Sequence, residues 1–275
     1  MVLSAHAPET CSLRAVASWS IQSLGAQWIT YPVPGIPRTK DGKPDLNAPA
    51  PKTPDGKPDL SGMWSPYRTL ELAAAGDKLA MFGGTVFGKG IAIDFGAPTG
   101  GLPYQNWAAE LARTRRENHA KDAPNSRCLP LSTAALTVFG IRQVIQLPGQ
   151  VVMLFEKDQM FRVIYTDGRP FPEDPQPSWL GYSVGHWEGE ALIVETIGLR
   201  DDTWLDANGN PMTSAGRMTE RYSRPNYGNL DVELTVNDTK AYTYPWTVKF
   251  QHRLDPEAQL IEGFCENERD QTHYR

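Results

Sequence analysis

The stretch Trp179–Tyr222 reads WLGYSVGHWEGEALIVETIGLRDDTWLDANGNPMTSAGRMTERY. Within it, Val184–Thr196 contains the continuous apolar run Ala191–Val194 that strands favour, and Gly189 interrupts this segment, so it predicts one strand or a tight strand pair. Arg217–Ser223 then alternates, and alternation places residues two apart on the same face of a strand. Two strands joined by a polar loop therefore indicate a β fold.

Further strand-like segments lie on both sides of this stretch, at intervals of about 8–12 residues where the loops are short. Because no helices separate them, parallel crossovers are excluded and the sheet is predicted to be mainly antiparallel. A calycin- or lipocalin-like barrel, or a strongly curled sheet, of about eight strands is the natural closure, and such barrels hold one small ligand. The additional predicted strands are Val138–Leu147, Gln150–Glu156, Met160–Thr166, Leu230–Val236, Pro245–Leu254 and Gln259–Cys265.

One main helix is predicted at Gln105–His119. Trp107, Leu111 and Thr114 recur in it at the spacing of a buried stripe. The helix belongs to a predicted single barrel-like domain over residues 62–275, a length that can bury a large core.

An extended arm rich in proline and glycine is predicted at residues 29–61. Within it, TKDGKPDL at Thr39–Leu46 returns as TPDGKPDL at Thr53–Leu60. Each copy predicts a turn followed by an extended step. The arm either wraps the body or a neighbouring subunit, which would give a homo-oligomer, or lies on the surface as a linker.

Composition excludes several classes of partner. The net charge of −5 comes with scattered Lys and Arg residues, so there is no basic face for nucleic acid. No stretch approaches the roughly 18–20 apolar residues of a membrane-spanning helix. The first 28 residues contain a weak apolar region, Leu13–Leu24, followed by small residues, and they read either as a degraded export signal or as a disordered leader.

Three cysteines are present, Cys11 in this leader and Cys128 and Cys265 in the body. The body pair fits either one disulfide in an exported protein or two free thiols in a cytosolic protein. No CxxC motif and no Cys/His cluster occurs in the sequence, so no structural metal site is predicted.

From Gln27 onward the chain resembles a family of uncharacterised, mostly exported bacterial proteins. The resemblance implies a periplasmic or secreted location, and with it a disulfide between Cys128 and Cys265. Many of these relatives carry histidines where this chain has Phe171 and Met212, so any site formed by those histidines would be absent here. The matching motifs are DGKPDLSGMW in Pro37–Trp64, LPYQNWAA at Leu102–Ala109, RCLP at Arg127–Pro130, TDGRP at Thr166–Pro170, GYSVGHWEGEALIV at Gly181–Val194, TWLD at Thr203–Asp206, Glu220-Arg221 and CEN at Cys265–Asn267.

Three residues are candidates for acid–base chemistry. His186 and Glu188 share a strand face, which suits a general base with an orienting carboxylate, or a structural hydrogen-bonded pair. An inward Glu220 is either a carboxyl group with a perturbed pKa or one member of a buried ion pair with Arg162 or Arg169. We expect all three candidates to converge on one pocket.

A further set of residues is predicted to bind the ligand beside the three acid–base candidates. Tyr165, Trp179, Tyr182 and Trp204 are predicted to line an aromatic mouth suited to a flat apolar ligand, with ordinary core packing as the alternative. Three further side chains are predicted to point inward because of alternation along their strands, and the histidine among them is also explained as a core residue whose hydrogen bonds are satisfied. These are Tyr222, Trp246 and His252.

Three functional hypotheses follow from these residues. The sequence has no G-x-S-x-G, Rossmann or Walker motif, which argues against hydrolysis through a serine nucleophile and against a nucleotide cofactor. The first hypothesis is a cofactor-free lyase, isomerase, hydratase or cyclase acting on a small hydrophobic or aromatic molecule. The second is a protein that binds such a molecule without changing it, and the third is an assembly protein that docks through its arm.

Overall fold

Nine strands close into a barrel whose inner face carries the predicted alternating residues. The computed structural model describes residues 35–69, 86–87, 90–91, 95, 101–138, 141–256, 258–261, 263 and 265. The predicted leader at residues 1–28 lies outside the described residues. The barrel strands are β1 (Gly62–Thr69), β4 (Arg142–Leu147), β5 (Gln150–Phe155), β6 (Phe161–Tyr165), β7 (Tyr182–Glu188), β8 (Ala191–Ile197), β9 (Arg217–Asn226), β10 (Asn229–Asn237) and β11 (Trp246–Leu254), and a separate hairpin consists of β2 (Val86–Phe87) and β3 (Gly90–Ile91).

Pairing follows chain order from β4 to β11, and β1 closes the barrel between β11 and β4. All neighbours are antiparallel except β6 and β7, which run parallel. Residues 166–181 connect these two strands. An irregular segment therefore makes the parallel connection that was predicted to require a helix. The prediction of a mainly β barrel is thus confirmed, and its sheet is mixed.

Side chains that alternate along the strands fill the barrel interior. Each of β9, β10 and β11 buries every second side chain along most of its length. In β9 these are Met218, Glu220 and Tyr222, as predicted, together with Arg224, and in β11 they include Trp246 and His252.

A short helix, α2 (Thr133–Val138), fills part of the barrel interior, and all six of its residues are buried. It lies inside the barrel because Thr137 contacts inward side chains of three strands. The predicted strand Val138–Leu147 exists but was predicted to start too early, since Val138 ends α2 and β4 begins at Arg142. The hydroxyl of Ser132 accepts a hydrogen bond from Ala135 N (3.2 Å), and such capping favours a helix over a strand.

The main helix, α1 (Asn106–Glu117), lies where it was predicted. Its buried residues are Ala108 and Ala112, so the predicted stripe is displaced by one position and Trp107 is 46% exposed. Small alanine side chains let this face approach the body closely. The indole of Trp107 instead donates a hydrogen bond to the Lys240 carbonyl (2.8 Å) at the surface.

The arm, described from residue 35 onward, packs against its own barrel. The two repeats form the same turn, in which Gly42 and Gly56 have φ of 81° and 80°. Such positive φ values suit glycine because it has no Cβ. Leu46 O accepts a hydrogen bond from Gly228 N (2.8 Å). The described part of the arm therefore lies along its own barrel.

The segment after β11 does not form the predicted strand Gln259–Cys265. Among its described residues, only Gly263 makes a ladder contact, an isolated parallel bridge to Lys157. Cys265 is instead joined to Cys128 by a disulfide with a Cα–Cα distance of 5.4 Å. No helix among the described residues is long and apolar enough to cross a membrane.

Candidate functional site

Inward side chains of six strands meet α2 in a buried polar cluster. It consists of charged, hydroxyl and imidazole side chains that alternation turns toward the barrel axis. The cluster matters because it contains the buried ionisable groups Arg142, Arg162, Glu220, Tyr222 and His252. They are Thr137, Arg142, Arg162, Ser183, Thr196, Glu220, Tyr222 and His252.

Glu220 is the carboxylate of this cluster and is completely buried. Arg162 donates to its Oε2 (2.5 Å), while Tyr222 and Thr137 donate to its Oε1 (2.7 and 2.9 Å). Burial acts to raise the pKa of Glu220, but the Arg162 charge and these hydrogen bonds outweigh burial and lower it. Glu220 is therefore held ionised in an ion pair with Arg162, one of the two predicted partners.

His252 and Arg142 meet at the end of α2. Arg142 Nη2 lies 2.5 Å from Thr137 O and 2.7 Å from His252 Nε2, which is itself 2.8 Å from Thr137 O. Burial, followed by the nearby Arg142 charge, lowers the pKa of His252 well below its usual value, so the imidazole is neutral. The prediction that His252 points inward is confirmed.

His186 and Glu188 share one strand face, as expected, but it is the outer face. Their side chains are 60% and 58% exposed, and His186 Nε2 lies 3.2 Å from Glu188 Oε1. The inward positions of β7 belong to Ser183 and Gly185. A side chain at Gly185 would crowd Ile164 and Leu192, which explains why a glycine occupies this position. The predicted convergence of His186 and Glu188 with Glu220 is therefore wrong.

The four residues of the predicted aromatic mouth do not lie together. Tyr165 and Tyr182 stack on each other at 5.4 Å between ring centroids, and Arg169 covers Tyr165 at 3.8 Å. Both tyrosines lie on the outer face, since their positions on β6 and β7 alternate with buried residues. Trp179 packs under Arg200 (4.8 Å). Of the four predicted mouth residues, the structure places Trp204 beside an open cavity.

This cavity is a cleft of about 500 Å³ at one end of the barrel. Loops that follow α1, precede α2 and connect β5 to β6 form its walls, together with the loop containing Trp204 and the C-terminal segment. Most of its lining is aliphatic or aromatic. The lining residues are His119, Ala120, Ala123, Pro124, Asn125, Ser126, Pro130, Leu131, Ser132, Ala135, Glu156, Lys157, Trp204, Asp206, Ala207 and Gly263.

Trp204 is fixed by contacts on the side of α1. The guanidinium of Arg115 lies 4.7 Å from its ring centroid and donates to Gly209 O (2.7 Å). Gly209 has φ of 76° at the end of a turn in which its N–H donates to Asp206 O (3.2 Å). The indole of Trp204 is thereby held in place at the wall of the cleft, although only 7% of the residue is exposed.

Several polar side chains at the cleft are already engaged. Ser132 donates to Trp204 O (2.7 Å), and Lys157 pairs with Asp158 (2.6 Å). Asp206 accepts hydrogen bonds from Asn208 N and Asn210 N (3.1 and 3.2 Å) and so caps the turn that it begins.

Three other side chains at the cleft have polar atoms that are not used in hydrogen bonds with the described residues. Within the described part of the chain, the side chains of His119, Asn125 and Glu156 form no hydrogen bond. They therefore offer a bound molecule a few polar contacts around an apolar centre.

Sequence reasoning missed the cleft because its walls come from loops far apart in the chain. It also missed Arg142 as an interior residue, since the predicted strand gave no reason to select it. Ser132 followed by Thr133-Ala134-Ala135-Leu136 was the available signal for α2, because it combines a capping residue with helix formers.

Groups of three or more His, Cys, Asp or Glu residues that could hold a metal ion do not occur among the described residues. Comparisons of the chain with protein-family models, with curated proteins and with solved structures found no match. The resemblance to exported bacterial proteins consequently stays a prediction.

Proposed function

We propose that this protein binds a small, flat, apolar molecule in the cleft beside Trp204. The observation that supports the proposal is the cleft itself, because about 500 Å³ lies within the usual range of small-molecule sites. Its largely aliphatic lining favours an apolar ligand, and the indole of Trp204 favours an aromatic one. His119, Asn125 and Glu156 would orient one or two polar substituents.

Binding without catalysis is the better supported hypothesis because the acid–base residues do not share a site. Glu220 is enclosed by Arg162, Tyr222 and Thr137 and does not line the cleft. His186 lies on the outer face of the barrel. The hypothesis of a cofactor-free enzyme thus loses the common pocket that it required, and assembly through the arm stays a prediction.

Titration with the neutral fluorescent probe N-phenyl-1-naphthylamine tests this proposal. We expect saturable binding to the wild type and a loss of affinity of about tenfold or more in Ala207→Trp, since a large side chain would fill the cleft. Ala215→Trp is the matched control because Ala215 is exposed and lies outside the cleft.

Equal affinity in the two tryptophan variants would place the probe elsewhere. The absence of saturable binding to the wild type would also overturn the proposal. Both variants must first show the circular dichroism spectrum of the wild type.

A further inference from the structure

The two buried arginines of the polar cluster carry N–H groups that find no acceptor within the described residues. These groups lie on Nε and Nη1 of Arg142 and on Nη1 of Arg162, although the two residues are only 0% and 3% exposed. An arginine Nε carries one hydrogen and each Nη carries two, so several donors are left over. His252 Nδ1 is also without a partner among these residues. Buried polar atoms without partners are rare and indicate a missing water or ion.

The net charge of the cluster decides between a water molecule and an ion. The cluster contains two guanidinium groups, Arg142 and Arg162, but one carboxylate, Glu220. The other buried carboxylates of the described chain are occupied in loops, since Asp206 accepts from Asn210 N and Asp238 from Thr213 N. One positive charge therefore remains without a counter-ion in the barrel interior, which is strongly unfavourable.

The two guanidinium groups also act on each other. Burial lowers the pKa of Arg142 to about 10 although Tyr222 and the Glu220 charge act to raise it, and the Arg162 charge adds to the lowering. At its carbonyl end α2 offers Thr137 O to Arg142 Nη2 (2.5 Å), which satisfies part of that guanidinium and leaves Nε and Nη1. A water molecule would accept hydrogen bonds there but would not neutralise the charge.

We propose that the barrel interior binds a small monovalent anion, a halide or a carboxylate, on the unpartnered N–H groups of Arg142 and Arg162. Such an anion supplies both the missing acceptor and the missing charge. This site differs from the cleft beside Trp204, because neither arginine lines that cleft.

Crystallography of the full-length protein tests the proposal directly. Protein dialysed into sodium gluconate, whose anion is too bulky for the interior, is crystallised and soaked in sodium bromide. We expect an anomalous peak within hydrogen-bond distance of Arg142 Nε or Nη1, or of Arg162 Nη1. A parallel soak in sodium acetate distinguishes the two sources, because a halide site shows bromide alone whereas a carboxylate site also shows acetate.

Thermal unfolding at constant ionic strength tests the same anion site in solution. Replacing gluconate by bromide or acetate is expected to raise the wild-type Tm saturably, by about 5 °C at about a hundred times Kd. Arg142→Met should lose this dependence. Arg116→Met, a variant of an exposed arginine on α1, should retain it.

Three results would each overturn the anion site. One is an interior occupied by water alone, another is a carboxylate of the chain itself bound to these N–H groups, and the third is a wild-type Tm that is indifferent to bromide and acetate. If Arg142→Met does not fold, the bromide map of the wild type decides.

Discussion

Arg162 Nη2 lies 2.5 Å from Glu220 Oε2 inside the barrel, and neither side chain is more than 2% exposed. Removing one member of such a pair leaves the other charge buried without compensation, which typically costs about 3–5 kcal/mol. We therefore expect Glu220→Gln to lower the free energy of unfolding by about this amount, as measured by urea denaturation.

The double variant Arg162→Met/Glu220→Leu is the control for this prediction. It removes both charges together, so it should be more stable than Glu220→Gln. A Glu220→Gln variant as stable as the wild type would show that the ion pair contributes little.

Protonation of His252 predicts a pH dependence of stability. In the unfolded chain its pKa is about 6.5, whereas burial and then Arg142 lower the pKa well below this in the fold. The unfolded state therefore binds the proton first, and stability falls as pH decreases from about 6.5 toward the folded pKa, by up to about 1.4 kcal/mol per pH unit.

Urea denaturation between about pH 7 and pH 5 measures this slope, in a range above the usual pKa of Glu220. His252→Gln should flatten the slope. His186→Gln should leave it steep, because His186 is exposed and remote from the cluster. Equal slopes in both variants would assign the pH dependence to another group.

Reduction of the disulfide should affect both stability and the cleft. Cys128 follows the wall residues Asn125 and Ser126, while Cys265 lies two residues beyond the wall residue Gly263. We expect Cys128→Ser/Cys265→Ser to lose about 2–5 kcal/mol of stability and to bind N-phenyl-1-naphthylamine more weakly.

Thermal unfolding and probe titration measure these two effects, and Cys11→Ser controls for the loss of a cysteine. Reductant should change the wild type but not the double variant. Unchanged affinity after reduction would mean that the disulfide does not shape the cleft.

The contact of the arm with the barrel depends on Gln146, which accepts a hydrogen bond from Leu60 N (2.8 Å) and donates one to Pro58 O (3.3 Å). Gln146→Ala should loosen the arm, at about 1 kcal/mol per hydrogen bond lost, and speed tryptic cleavage after Lys52.

Gln143→Ala is the matched control because Gln143 lies on the same strand and makes no side-chain hydrogen bond to the arm among the described residues. Cleavage at the same rate in both variants would indicate that other contacts hold the arm, such as the hydrogen bonds from Arg224 to Asp59 O and Ser61 O.

Alternation predicted the interior correctly where apolar neighbours marked the inner face. Glu220 lies between Met218 and Tyr222, and His252 follows Phe250, so their direction could be inferred from the sequence. On β7 the inner face was assigned wrongly because Ser183 and Gly185 give no apolar signal, although Trp187 on the same face packs against the core.

The cleft could not be predicted by the same reasoning. Pro124, Lys157, Trp204 and Gly263 come together through loops rather than through any period of the sequence. Only the three-dimensional packing of α1, α2 and the loop ends creates their common surface.

Closure of the barrel by β1 has a consequence for biosynthesis. β1 pairs with β4 and β11, so the first barrel strand to leave the ribosome must wait for the last before both of its edges are covered. Until then, unpaired N–H and C=O groups of the nascent chain are available to other chains. A translation product that stops before Trp246 would keep this exposed edge, and we expect it to aggregate or to be degraded by proteases.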